Sequence, residues 1–435
     1  MHIAIITAGG AGMFCGSCMQ DNSLAKALIE QGNEVSLIPT YTPIRVDQQN
    51  VSDKKVYLGG VNLYLDHAIP FWHRLPRGLV SWLDHPRILR IATSLGIEND
   101  ASRLGPLTLS MLRRSVGSMK REYQQLVDYL VKEVQPDVII FSNALLSGVM
   151  PLLREKFSGP VFCLLQGDDL FLDQLTDKHR QQAIEAVSGH AKSFNLIITH
   201  TKFYADYMSE YLSIDRKLFR QIPLSIDLPQ ELRTPQTRSI KETSSLPRIG
   251  YFARIAPEKG LLNLVRAVKQ LHESGIEVEL HAGGYLGKAH HGYMKQIEKE
   301  SAFLGDRFRY IGSPGSQKEK LEFMRSLDIF SVPALFHEPK GLYLLEAMSQ
   351  GVPVAQPAHG SYPELIASTG GGLLFEADNI ENHARILKQL LEAPEQRNKM
   401  GSDAQRAIAE KHTSSDAAQR LDEICKDFIK ASRGC

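Results

Sequence analysis

Two glutamates in FHEPKGLYLLEAMSQ (Phe336–Gln350), Glu338 and Glu346 with seven residues between them, have the strongest claim on chemistry in this 435-residue chain. Pro339 biases Glu338 away from helical angles, so Glu338 belongs to an extended loop. Leucines and alanine favour a helix from about Gly341, and it stops before Gly351. The first amides, near Gly341 and Leu342, lack partners inside that helix. They carry the positive end of its dipole, which favours an anion. Glu346 lies one turn deeper, on the face of Leu342. A carboxylate there can accept both hydroxyl hydrogens of a cis-diol such as ribose. The spacing points to phosphates at the helix mouth, a sugar near Glu338 and a ribose at Glu346. Taken alone, the segment reads better as an amphipathic core helix with one solvated glutamate; its flanks reverse that.

The first flank is Arg254-Ile-Ala-Pro-Glu-Lys259-Gly260, between a strand and the next helix. Arg binds a diphosphate as a fork and Lys as a point charge. A turn with solvated charges is the reading this motif would get by itself. A glycine-rich turn, Gly9, Gly10 and Gly12, follows the first strand, but it is no clean G-x-G-x-x-G, and no acid ends the second strand. Dinucleotide binding is a weak reading there. Cys15-Gly-Ser-Cys18 has no second C-x-x-C to complete a metal site, so two small residues lining a tight loop is the better reading. His290 and His291 are adjacent and cannot both face one metal from regular structure.

These residues need a scaffold. Strands are expected at His2–Ala8, Glu34–Thr40, Val56–Leu65, Asp137–Ser142, Pro160–Gln166, Asn195–Thr201 and Phe219–Leu224. Helices at Asn22–Gln31, Ser147–Phe157, Lys178–Ala191 and Phe203–Leu212 alternate with them. The polar segment Pro229–Pro247 reads as a linker. A second series has strands at Arg248–Arg254, Val278–Ala282, Phe308–Ile311, Ile329–Val332 and Val352–Ala355. Its first helix bears the stripe Leu261, Leu264, Val265, Val268 and Leu271. Two βα series imply two doubly wound parallel sheets, 1–230 and 247–413, facing a cleft. A last helix from about Ser414 (414–435) has no strand to feed and is expected to cross back to the first domain.

Composition is that of an ordinary globular enzyme, with 43% hydrophobic and 23% charged residues. The formal net charge of +1 implies no general nucleic-acid field. Apolar runs are strand-sized and too short to span a bilayer. The stretch after Met1 lacks a basic region and a cleavage site, and reads as a strand. Five cysteines, an odd number, fit a reducing compartment, so a cytoplasmic protein is expected. The basic and aromatic stretch Trp72–Arg121 reads either as a surface touching membrane lipid or as helix surface with core tryptophans. The near-neutral charge favours the second.

Together the pieces resemble the retaining GT-B glycosyltransferases of the large nucleotide-sugar-dependent family 4. The resemblance rests on Arg254, Lys259-Gly260, Glu338, Gly341-Leu342, Glu346-Ala-Met and Gly351-Val-Pro-Val. His359-Gly360, Glu364 and Gly370-Gly-Gly372 extend it, and Gly9–Gly12 and Ile222-Pro223 match the amino-terminal half. It implies that Arg254 and Lys259 hold the donor diphosphate and that Glu338 contacts the transferred sugar. Gly341 and Leu342 would offer amides to phosphates or sugar, and Glu346 would bind the ribose. The loop with Gly10 and Gly12 would approach the donor phosphates or the acceptor. Where the family often has a His after the Pro160–Leu165 strand, this chain has Gln166, which cannot be a general base. Asp168 and Asp169 follow, and a helix-start or turn role suits them better than metal binding.

The expectation is a transferase that moves a sugar from a nucleotide-diphosphate-sugar to a glycan, lipid or small-molecule acceptor, with no metal or other cofactor. A sugar-nucleotide epimerase on this fold, or a non-catalytic nucleotide-sugar-binding protein, satisfies the same residues.

Overall fold

The computed structural model describes residues 1–9, 15–58, 104–113, 117–228 and 246–433. The chain forms two compact units, Met1–Pro223 with Ser414–Cys435, and Leu224–Thr413. Each is built on a six-stranded parallel sheet with helices between strands, the layered arrangement that alternating apolar strands and amphipathic helices demand.

In the first unit the strands are β1 (His2–Thr7), β2 (Glu34–Pro39), β3 (Val138–Phe141), β4 (Val161–Leu164), β5 (Leu196–Thr199) and β6 (Phe219–Gln221), in the order β2-β1-β3-β4-β5-β6. Every residue of β3, β4 and β5 is buried, as for central parallel strands covered on both faces. The helix after β1 runs Gly16–Glu30, starting well before Asn22. Gly16 does not break it, because first-turn amides need no helical partner. The expected helix Ser147–Phe157 is instead a 3-10 segment, Ala144–Val149, followed by a short helix, Met150–Arg154.

The last helix, Ser414–Arg433, belongs to this unit. Ala417, Ala418, Leu421, Ile424 and Cys425 form its buried stripe, in one cluster with Leu24 and Leu28 of the Gly16–Glu30 helix. Asn33 Nδ2 donates to Asp422 Oδ1 at 3.0 Å, and Phe428 packs edge-on against Phe162 at 5.1 Å.

In the second unit the strands are β7 (Arg248–Phe252), β8 (Glu279–Gly283), β9 (Phe308–Tyr310), β10 (Ile329–Phe330), β11 (Val354–Pro357) and β12 (Gly372–Phe375), in the order β12-β11-β10-β7-β8-β9. This is a doubly wound order, whose direction of winding reverses between β7 and β10. β12 has no counterpart in the sequence reading, because a four-residue strand led by glycine carries no periodic signal. The stripe Leu261, Leu264, Val265, Val268 and Leu271 is buried in the core.

This unit begins at Leu224, ahead of the polar linker. Leu224, Ile226 and Leu228 are buried in its core, and Ile226 bridges to Thr413. His412 Nδ1 lies 2.8 Å from the Leu224 carbonyl oxygen. Residues 229–245 of the linker lie outside the described residues, as do Trp72, Trp82, Arg114 and the greater part of the expected strand Val56–Leu65. The described part of that strand, Val56–Leu58, is a bend, not a strand. Among the described residues no helix is long and apolar enough to cross a membrane.

Candidate functional site

In an open parallel sheet, ligands bind beyond the carboxyl ends of strands flanking the point where winding reverses. In the second unit those strands are β7 and β10, so the loops that leave them meet. The first loop ends in a 3-10 turn, Pro257–Lys259, and Gly260 opens the Leu261–Glu273 helix with φ of +74°. A Cβ on Gly260 would collide with the Pro333 carbonyl, so glycine alone permits this close approach of the two loops.

The approach brings Lys259 to Glu338. Lys259 Nζ donates to Glu338 Oε2 at 2.6 Å, across 79 residues of chain. Their side chains are 15% and 7% exposed, so this is a largely buried ion pair. The ammonium also lies over the rings of Phe336 (4.7 Å) and Tyr343 (5.3 Å), which favour a cation. Tyr343 donates its hydroxyl to the same Oε2 at 2.8 Å, and the Tyr362 hydroxyl lies 2.6 Å from that of Tyr343. Oε2 thus has two donors, while Oε1 has no partner among the described residues. Burial alone would push the Glu338 carboxyl up. The charge and hydrogen bond of Lys259, the Tyr343 hydroxyl and the charge of Lys340 outweigh it, holding the carboxyl below its ordinary value. Ser361 fixes the loop from behind: its amide donates to the Glu338 carbonyl at 2.9 Å and its hydroxyl to that of Pro339 at 2.7 Å.

Gly341, with φ of +83°, opens the Leu342–Ser349 helix, and no side chain caps that end. The first amides of the helix stay available to an anion. Leu342 is half-buried at the edge of the core. Glu346 is held from the Gln317–Arg325 helix: Lys320 Nζ donates to Glu346 Oε1 at 2.6 Å, with side chains 7% and 14% exposed. Lys259 and Lys340 thus bring positive charge to Glu338, and Lys320 brings it to Glu346.

Not every residue singled out in the sequence joins this group. Arg254 is exposed and pairs with Glu258, one turn on, at 2.5 Å. Gln166 and Asp168 lie in the first unit, beyond β4. Gln166 Nε2 donates to Asp21 Oδ1 at 2.7 Å. Asp168 accepts the amides of Ala144 (2.6 Å) and Gln166 (3.0 Å), which makes it the organiser of a turn and the start of the Asp168–Leu172 helix. Its neighbour Asp169 accepts the Tyr204 hydroxyl, and burial pushes its carboxyl up to about 6. Gly10 and Gly12 lie outside the described residues. Cys15 and Cys18, at the start of the Gly16–Glu30 helix, are not joined in a disulfide. Among the described residues no three His, Cys, Asp or Glu side chains converge as metal ligands would.

Sequence reasoning missed Lys320, Lys340, Tyr343, Tyr362 and Asp21. Lys320 carries a signal in hindsight, since it shares the buried face of its helix with Leu321 and Met324. A lysine on an apolar face calls for a carboxylate partner. Tyr343 and Tyr362 give none, because a tyrosine in an apolar stripe reads as core.

Residues 233–407 match the model of the family described as glycosyl transferases group 1. The chain is 24% identical over 218 residues to the GDP-mannose-dependent monoacylated alpha-(1-6)-phosphatidylinositol monomannoside mannosyltransferase of Corynebacterium glutamicum, covering 47% of this chain and 55% of that one. The chain spans about half the length of the first curated relatives it matches. Sucrose-phosphate synthase from Thermosynechococcus elongatus shares the fold along 99% of this chain and 100% of its own, with a TM-score of 0.72 and 17% identity. Anabaena HepE in complex with UDP does so along 98% and 100%, with a TM-score of 0.65 and 17% identity. The architecture is therefore GT-B, two Rossmann-like α/β units.

Proposed function

We propose that this chain, whose second unit is a glycosyl transferases group 1 domain, moves a sugar from a nucleotide-diphosphate-sugar to a glycan, lipid or small-molecule acceptor with retention at the anomeric carbon. The observation that carries the reading is the Lys259–Glu338 pair where the winding of the sheet reverses, beside an uncapped helix N-terminus. The names of the relatives, one GDP-mannose-dependent and one bound to UDP, support a nucleotide-linked donor.

In this reading the amides of the Leu342–Ser349 helix and the ammonium of Lys259 take the diphosphate, joined by Arg254 once it leaves Glu258. Glu338 Oε1 accepts a hydroxyl hydrogen of the transferred sugar, and Glu346 accepts those of the ribose. The bond from the anomeric carbon to the diphosphate oxygen breaks, and its electron pair stays on that oxygen. The acceptor oxygen attacks the face the diphosphate leaves, and its proton passes to the departing oxygen. Negative charge grows on the diphosphate as the bond breaks, where fixed cations and amides stabilise it most.

The test is product analysis with UDP-, GDP- and ADP-sugars and an acceptor panel, with and without EDTA. A transferred sugar of retained configuration supports the reading. Epimerised donor or binding alone overturns it in favour of the epimerase or the non-catalytic protein. Cations and amides can neutralise the diphosphate without a dissolved metal, so transfer is expected to continue in EDTA. Complete loss restored by Mg²⁺ would remove that part.

Ribose recognition makes a separate prediction. Glu346→Gln and Lys320→Met are each expected to weaken nucleoside diphosphate affinity by about tenfold or more, as for a hydrogen bond to a charged group. Turnover at saturating donor should change far less. Calorimetric titration beside steady-state kinetics checks this, and an equal loss in both quantities contradicts the ribose role.

A further inference from the structure

The hydroxyl chain behind Glu338 has a direction. Tyr343 has one proton and gives it to the carboxylate at 2.8 Å. The 2.6 Å contact between the two phenols must then use the proton of Tyr362, with Tyr343 accepting. The Val332 carbonyl, 3.4 Å from the Tyr362 oxygen, is a poor rival. Tyr362 is buried and Tyr343 half-buried, and each hydrogen bond polarises the next. The relay Tyr362 to Tyr343 to Glu338 ends on Oε2, the oxygen that Lys259 also holds.

Lys259 cannot give its whole charge to two anions. When a diphosphate enters, the ammonium is drawn toward it, and a buried carboxylate losing its cation tends to take up a proton. We propose that Tyr343 is a positioning residue that keeps Glu338 ionised and its Oε1 turned to the sugar while the diphosphate draws on Lys259. This rests on the transferase reading above. The other groups acting on Glu338 are Lys340, on the same loop, and His359, whose ring lies 5.2 Å from that of His337. Neither hydrogen-bonds to the carboxylate. Lys340 adds charge without direction, and burial holds His359 below its ordinary value, toward the neutral form.

Tyr343→Phe keeps the ring under Lys259 and removes only the hydroxyl. The expected result is a loss in kcat of about tenfold or more, the scale of one hydrogen bond to a charged group. UDP, GDP and ADP affinities should stay near those of the wild type. Losing a donor to the charged form raises a carboxyl pKa, so the acid limb of the kcat profile moves to higher pH. The kcat/KM limb reports the free enzyme, where Lys259 still holds Oε2, and it moves less. Tyr362→Phe shifts the same limb in the same direction by a smaller amount.

The measurement independent of activity is a pH titration of the Glu338 carboxyl by ¹³C NMR, assigned by its loss in Glu338→Gln, with and without each of the three nucleotides. An upward shift in Tyr343→Phe, larger with a nucleotide bound, supports the proposal. An identical titration in wild type and variant overturns it, as does a loss of nucleotide affinity equal to the loss of turnover. Absence of sugar transfer by the wild type would sink the transferase reading instead. The titration would then decide by itself whether Tyr343 governs the charge on Glu338.

Discussion

Glu338→Gln is expected to lower turnover at saturating donor by about 10²–10³-fold, the loss that follows removal of one preorganised charge-stabilising group. Nucleoside diphosphate affinity should stay nearly unchanged. The geometry explains the split. The Gln carbonyl oxygen can replace Oε2 and accept from Lys259 and Tyr343, so the loop keeps its shape. The amide nitrogen then falls where Oε1 was, and it offers hydrogens to a sugar hydroxyl that needs an acceptor. The negative charge that would favour an oxocarbenium-like centre is also gone. Lys259 loses a counter-ion but keeps the faces of Phe336 and Tyr343, and it stays free to meet the diphosphate. Calorimetric affinity beside turnover checks both halves. A variant that loses affinity as much as turnover, or a glycosyl adduct trapped on Glu338 of the wild type, would show the role to be wrong.

Lys259→Ala is expected to cost a similar 10²–10³ in turnover and, unlike Glu338→Gln, to weaken nucleotide binding and stability as well. Removing one partner of a buried pair leaves the other uncompensated, at about 3–5 kcal/mol for a fully buried case. The 15% exposure of the Lys259 side chain places the expected loss at or below the lower end. The pH dependence reverses sign. In the wild type the Glu338 carboxyl lies below its unfolded value. Its contribution to stability is therefore present above that unfolded value, about 4.3, and is lost as pH falls through the depressed one. Without Lys259, burial dominates and the carboxyl rises above the unfolded value. Stability then falls as pH rises from the unfolded value through the raised one. Lys259→Met combined with Glu338→Gln removes both charges and should recover part of the stability, though not turnover. Denaturant unfolding of the three variants across pH 4–8 is the measurement. Near-wild-type turnover in Lys259→Ala at saturating donor contradicts the assignment.

The site was partly legible before any coordinates because its local grammar is strict. Pro339 keeps Glu338 out of the helix, and Gly341 opens the helix with a backbone angle that favours glycine. The eight-position step from Glu338 then carries Glu346 onto the Leu342–Ser349 helix. Lys259-Gly260 reads as a strand-to-helix turn for the same reason. Alternating strand and helix signals, together with the stripe from Leu261 to Leu271, led to two parallel-sheet units. All of this is encoded within a few residues of where it acts.

Contacts between distant segments were not encoded that way. Strand order places β7 beside β10, and only that neighbourhood turns two charges 79 residues apart into an ion pair. Lys320 finds Glu346, and Tyr362 finds Tyr343, because helices from separate βα units pack against the same core. The sequence by itself determined which residues could carry charge to a ligand and on what kind of element each would sit. Tertiary structure decided which charges meet, which oxygen of Glu338 is already committed, and that Arg254 rests on Glu258 instead. The physical reason is that periodicity and turn chemistry depend on neighbours along the chain. Pairing of buried charges depends on strand order and side-chain packing, which no spacing in the sequence records.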